Sequence, residues 1–121
     1  MIDLQSELAQ SFVYQKTETA NLEVQMQIPS GLTYFVGHFP DFPVLPAVAL
    51  IDITSYLIKT LLLEKPELSI KKIIHLKLKA AVKPKEKVNI KVLQNKDLTY
   101  SAYWSLQDSP AQELAEFTFL F

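Results

Sequence analysis

The chain contains no cysteine, which excludes disulfides, thiolate chemistry and cysteine-based metal centres and suits a reducing compartment. Glycine is scarce, with only Gly31 and Gly37 in 121 residues, and no nucleotide-binding loop is present. Neither sign of charge dominates. The formal net charge is -1, so no global field draws the protein to nucleic acid or to an anionic membrane. Long uninterrupted apolar runs are also missing. The longest, residues 44–63, is broken by Asp52 and Lys59 and reads as a buried helix rather than a membrane span. Met1-Ile2-Asp3-Leu4-Gln5 has no basic stretch leading into an apolar core, so no signal peptide is expected and a cytoplasmic location is. Repeats, low-complexity tracts and linkers are absent as well, and a single domain over residues 1–121 is expected.

What the chain does have is a hydrophobic content of 49% and a charged content of 21%, enough to bury a modest core. Period-two alternation dominates its patterning. Leu22, Val24, Met26 and Ile28 alternate with polar residues, as do Ile74, Leu76, Leu78 and Ala80. Val88, Ile90 and Val92 repeat the pattern, followed by Leu98, Tyr100, Ala102, Trp104 and Leu106, and by Ala115, Phe117, Phe119 and Phe121. Turn signals at residues 84–87, 95–97 and 108–110 separate the late runs, which predicts an antiparallel meander of half-buried strands. Residues 46–63 contain no breaker after Pro46, and proline is favoured at a helix start. The spacing predicts a helix of roughly 25 Å, apolar nearly all round and stopped by Pro66. The fold class implied is α+β, one curved antiparallel β-sheet wrapped around a long central helix.

One segment stands apart. Gly37-His38-Phe39-Pro40-Asp41-Phe42-Pro43-Val44-Leu45-Pro46 has three prolines at three-residue spacing, which stiffen the backbone directly before the helix. A stiff loop can hold a catalytic side chain in place. No Ser, Thr, Asp or Asn precedes the helix to cap it, so its first N–H groups need a partner, either water or a polarised carbonyl. Asp52 shares a helix face with Ser55, Tyr56 and Lys59, and on spacing alone this is a solvated polar stripe. Its neighbours Ile51 and Ile53 allow another role, because a carboxylic acid kept from water holds its proton and can serve as a general acid. His38 alone is either a packed histidine or a proton-transfer group. His75 lies among lysines and is assigned to surface structure, with no metal-ligand spacing to any partner.

Gly37-His38-Phe39-Pro40-x-x-Pro43-Val44-x-Pro46, followed by an apolar helix, resembles the signature of the 3-hydroxyacyl-acyl-carrier-protein dehydratases, which have the hotdog fold. The motif covers residues 31–60, and the flanking strands fit the same fold. In that family the histidine works with an acid fourteen positions further on, and fourteen after His38 is Asp52. The chain is similar to the Asp-type branch and to the short dehydratases of aryl-polyene and polyketide-like pathways. Two positions depart from the pattern. Ala47 stands where glycine is usual, and the turn Pro84-Lys85-Glu86 lacks a glycine often found there.

The resemblance implies dehydration of a 3-hydroxyacyl-carrier thioester to a trans-2-enoyl thioester. Within it, the N–H of Ala47 polarises the carbonyl, His38 takes a C2 proton and protonated Asp52 gives a proton to the leaving hydroxyl. Val44 offers its carbonyl to His38, while Tyr34, Phe35, Phe39 and Phe42 line the acyl channel or belong to the core. It implies a homodimer with shared active sites, acyl carrier protein as partner, and no cofactor or metal. Lys59, Lys65, Lys71 and Lys72 are candidates to dock the acidic carrier, against a plain solvated role for each. The alternatives left open are a hotdog acyl thioesterase, a non-catalytic acyl-binding subunit, and an added isomerase activity.

Overall fold

The computed structural model describes residues 8, 12–16, 21–30, 32 and 44–121. Among them six strands form one antiparallel sheet: β1 (Phe12–Gln15), β2 (Leu22–Gln27), β3 (Lys72–Leu78), β4 (Lys87–Gln94), β5 (Tyr100–Leu106) and β6 (Glu113–Leu120). Their order across the sheet is β1-β2-β4-β5-β6-β3. The alternation in the sequence becomes two apolar rows running across this sheet. In one row Leu22 faces Val92, Ala102, Phe117 and Leu76 in turn; in the other Val24 faces Ile90, Trp104, Ala115 and Leu78. Because side chains alternate, a one-residue slip in any strand would turn its row out to solvent. The residues of these rows on β2, β4, β5 and β6 are buried in one hydrophobic cluster that also takes in the helix.

Helix α1 (Ala47–Leu57) continues into a π-helical turn (Ile58–Leu62). It lays Ala49, Leu50, Ile53, Leu57 and Ile58 into the core. Thr54 fixes its rotation on the sheet. The buried Thr54 hydroxyl accepts the Trp104 indole N–H at 2.8 Å and donates to the Leu50 carbonyl at 2.7 Å. The helix ends where Glu64 takes a left-handed conformation (φ 55), and the Lys65 N–H reaches the Lys59 carbonyl at 2.8 Å. Pro66 lies just beyond, as the sequence predicts.

Five features differ from what the sequence predicts. Strand β1 has no alternating pattern and was invisible to periodicity; its last three residues are exposed at the sheet's edge. The meander holds for β4, β5 and β6, but β3 pairs with β6 at the opposite edge instead of with β4. An eight-residue connection, 79–86, is too long for a tight hairpin and carries the chain across instead. On β3, a register shift between Ile73 and His75 interrupts the alternation, and Ile73, Ile74, Leu76 and Leu78 stay 41–50% exposed. Leu98 belongs to a turn, not to β5: its φ is 66, and Asn95 and Asp97 close the turn by hydrogen bonds to Thr99. Finally, α1 is not buried all round, since Val48 and Asp52 face outwards.

Candidate active site

The start of α1 is open. Pro46 occupies the N-cap in an extended conformation (φ -70, ψ 160), and no side chain caps the turn. Its carbonyl takes the N–H groups of Ala49 and Leu50. Among the described residues nothing accepts the N–H of Ala47 or Val48. With the positive end of the helix dipole behind them, these donors suit a carbonyl oxygen that gains negative charge. The half-buried Ala47 keeps its N–H despite the extra methyl.

One turn holds this end of the helix. The Leu45 N–H donates to the Val82 carbonyl at 2.8 Å. In the same turn the Lys85 N–H donates to the Ile28 carbonyl at 2.7 Å, and the Ile28 N–H to the Glu86 carbonyl at 2.9 Å. Both ends of the stretch from Ile28 to Leu45, within which the sequence places His38, are therefore tied to residues 82–86. The sequence marks residues 84–87 only as a divider between strands; this further role rests on backbone hydrogen bonds, which side-chain patterns do not reveal.

Asp52 lies about 7.5 Å further along the axis than Ala47, at 1.5 Å per residue, on the exposed side of α1. Thr54 explains this, because anchoring that residue on Trp104 turns the position two before it away from the sheet. Val48, one turn earlier, is 56% exposed on the same side. The expected polar stripe is not uniform: Ser55 is buried, and Tyr56 and Lys59 are half-buried. The chain's own sheet does not supply the apolar surroundings that Ile51 and Ile53 suggested for Asp52, since Ile53 points into the core.

Val44 and Ala47 thus lie at the start of α1, and Asp52 at its middle, on the outward side. His38, Tyr34, Phe35, Phe39 and Phe42 lie outside the described residues. His75 sits on the outer face of β3, its Nε2 3.0 Å from Glu116 Oε2, in the surface role expected of it. Lys79 bridges Glu113 and Glu116 beside it. Hydrogen bonding to these two carboxylates raises the pKa of Lys79, and the bond from Lys79, with a smaller one from His75, lowers that of Glu116. Lys59, in the π-helical turn, is about 18 Å from Ala47 at helical rise, and Lys65 lies past the end of the helix. Lys71 and Lys72 pair with Leu120, at the end of β3 remote from the turn.

A family model described as ApeI-like, ApeI dehydratase, matches residues 14–116. Solved structures with the same fold include the dehydratase heterocomplex ApeI:P from Xenorhabdus doucetiae, with a TM-score of 0.75 and 24% identity over 88% of this chain and 91% of that one. An uncharacterized protein from Erwinia carotovora subsp. atroseptica matches with a TM-score of 0.71 and 19% identity, covering 88% and 86%. Thioesterase superfamily member 2 from Mus musculus matches with a TM-score of 0.66 and 10% identity, covering 94% and 83%. These neighbours share the hotdog fold. No curated protein sequence matches the chain. Among the described residues no helix is long and apolar enough to cross a membrane.

Proposed function

The chain belongs to the ApeI-like dehydratase family, and on that premise we propose that it removes water from a 3-hydroxyacyl thioester borne by an acyl carrier protein. The observation that carries the proposal is the open helix start, with the Ala47 N–H unclaimed among the described residues and Asp52 on the exposed side of the same helix. The thioester oxygen takes the Ala47 N–H, which draws charge from C2 and acidifies its protons. Neutral His38 takes one of them, with the Val44 carbonyl holding the ring N–H and so the tautomer. Protonated Asp52 gives its proton to the 3-hydroxyl, the C–O bond breaks, and water and a trans-2-enoyl thioester leave. The methyl of Ala47 narrows the approach to the oxygen and restricts the acyl groups admitted.

Acid catalysis by Asp52 needs water excluded, and in one chain this carboxyl is exposed. The homodimer answers that need. Among the described residues strand β3 is an edge of the sheet, and its half-exposed Ile73, Ile74, Leu76 and Leu78 form an apolar strip along it. Left bare, such an edge invites aggregation; a second copy related by a two-fold axis covers it with identical contacts. The Xenorhabdus dehydratase is a heterocomplex. A chain that stays monomeric alone and pairs only with a related hotdog chain would replace the homodimer by that arrangement.

The test is kinetic. His38→Ala and Asp52→Asn should each lower kcat on a 3-hydroxyacyl-carrier thioester by about 10²- to 10⁴-fold, the range for a general acid or base. Full activity in either variant removes that residue from the mechanism.

A further inference from the structure

The geometry points to Lys83, Lys85 and Lys87 as the surface on which an acidic carrier protein docks. The choice of partner rests on the dehydratase reading above. The location rests on charge and backbone. All twelve basic residues are lysines, and nine of them fall within residues 71–96, where Glu86 is the only one of the thirteen carboxylates. Folding neutralises part of this excess. Lys79 pairs with Glu113 and Glu116, and Lys91 stands opposite Glu23 in the sheet register. Lys83, Lys85 and Lys87 remain exposed, and among the described residues no carboxylate lies within ion-pair distance of them. The Glu86 carboxylate accepts the backbone N–H of Lys83 at 2.7 Å, and Asp108 shares a shallow hollow with Lys85 and Lys87. The balance of this turn is still positive.

The backbone gives a second, independent sign. Lys85 has a φ of 69, a left-handed conformation that glycine adopts freely and a residue with a Cβ adopts at a cost. The chain has a lysine there, exposed on the turn. The same turn holds Ile28 and Leu45, and so lies beside the open helix start at Ala47. A carrier seated on it would bring its prosthetic arm to that end of α1. The lysines named from the sequence do not share this place, because Lys59, Lys65, Lys71 and Lys72 lie at the remote ends of α1 and β3. Lysine, a compact hydrated point charge, suits weak, salt-sensitive docking on scattered carboxylates.

The experiment compares the full chain with the triple variant Lys83→Glu, Lys85→Glu, Lys87→Glu. Binding of fluorescently labelled carrier protein is read by anisotropy, and kcat/KM is measured on the carrier-linked thioester and on the pantetheine thioester of the same acyl group. The triple should weaken carrier binding about tenfold or more and lower the carrier-to-pantetheine kcat/KM ratio to match, with the salt dependence of binding reduced. A triple at the remote ends, Lys59→Glu, Lys65→Glu, Lys71→Glu, should leave binding within about twofold. Lys85→Gly should weaken binding while raising the thermal midpoint, opposite signs that a merely structural turn residue would not give. An unmoved ratio overturns the docking surface, as does loss of binding only in the remote triple, or loss of binding to anionic lipid vesicles in place of carrier. Carrier binding through these lysines without dehydration of either thioester would uphold the surface and refute the reaction; turnover of both with an unmoved ratio would do the reverse.

Discussion

Ala47 carries a backbone N–H that the helix itself does not use, and this makes a clean substitution possible. Proline is favoured at the first helical position, and Pro46 before it already has the extended conformation that a following proline requires. Ala47→Pro should therefore fold with an unchanged thermal midpoint yet lose the oxyanion donor, lowering kcat about 10²- to 10³-fold. A folded variant with normal kcat would remove the donor from the mechanism. Thr54 is the second residue with a separable role. Thr54→Val keeps the shape but strands the buried Trp104 N–H, at a cost of about 1–3 kcal/mol, readable from urea unfolding followed by the fluorescence of this single tryptophan. Thr54→Ser, which keeps the hydroxyl, should recover most of the loss. The prominence of residues 46–52 was legible in the sequence, through Pro46, the missing cap and the apolar neighbours. The orientation of Asp52 was not, because it follows from a hydrogen bond between Thr54 and a residue fifty positions away.

At the level of elements, strands with an alternating face were readable, and β1, which lacks one, was not. Alternation marks β2, β4, β5 and β6 because one face of each meets the core. It marks β3 just as clearly, but the apolar face there lies beyond what one chain covers, and periodicity cannot say whether the cover is intramolecular. Leu76→Lys, at the middle of that strip, should halve the mass measured by sedimentation and lower kcat with it; an unchanged mass would place the dimer elsewhere or show none. The outer face of β3 makes a pH prediction. Folding lowers the pKa of Glu116 from its ordinary 4.5, so its contribution is present above that value and lost as the pH falls through the depressed one. Lys79, raised from 10.5, acts in the opposite sense, its contribution being lost as the pH rises past that range. Thermal midpoints should fall below pH 4.5, and Glu116→Gln should flatten that acid limb. An equally steep acid limb in the variant would assign the loss to other carboxylates.

For the whole molecule, the sheet, its helix and the family were accessible from 121 residues because pattern and motif pointed the same way. Strand order was not, since the crossing of residues 79–86 depends on backbone hydrogen bonds to Ile28 and Leu45 that leave no trace in composition. That crossing places the lysine-rich turn, the helix start and the ends of the motif-bearing stretch together. The most direct measurement follows a 3-hydroxyacyl-carrier protein incubated with this chain by intact-mass spectrometry. Dehydration should leave a carrier lighter by one water, with its thioester intact and the new double bond trans at C2. A carrier stripped of its acyl group, or one that keeps its mass across all acyl lengths tried, would contradict it.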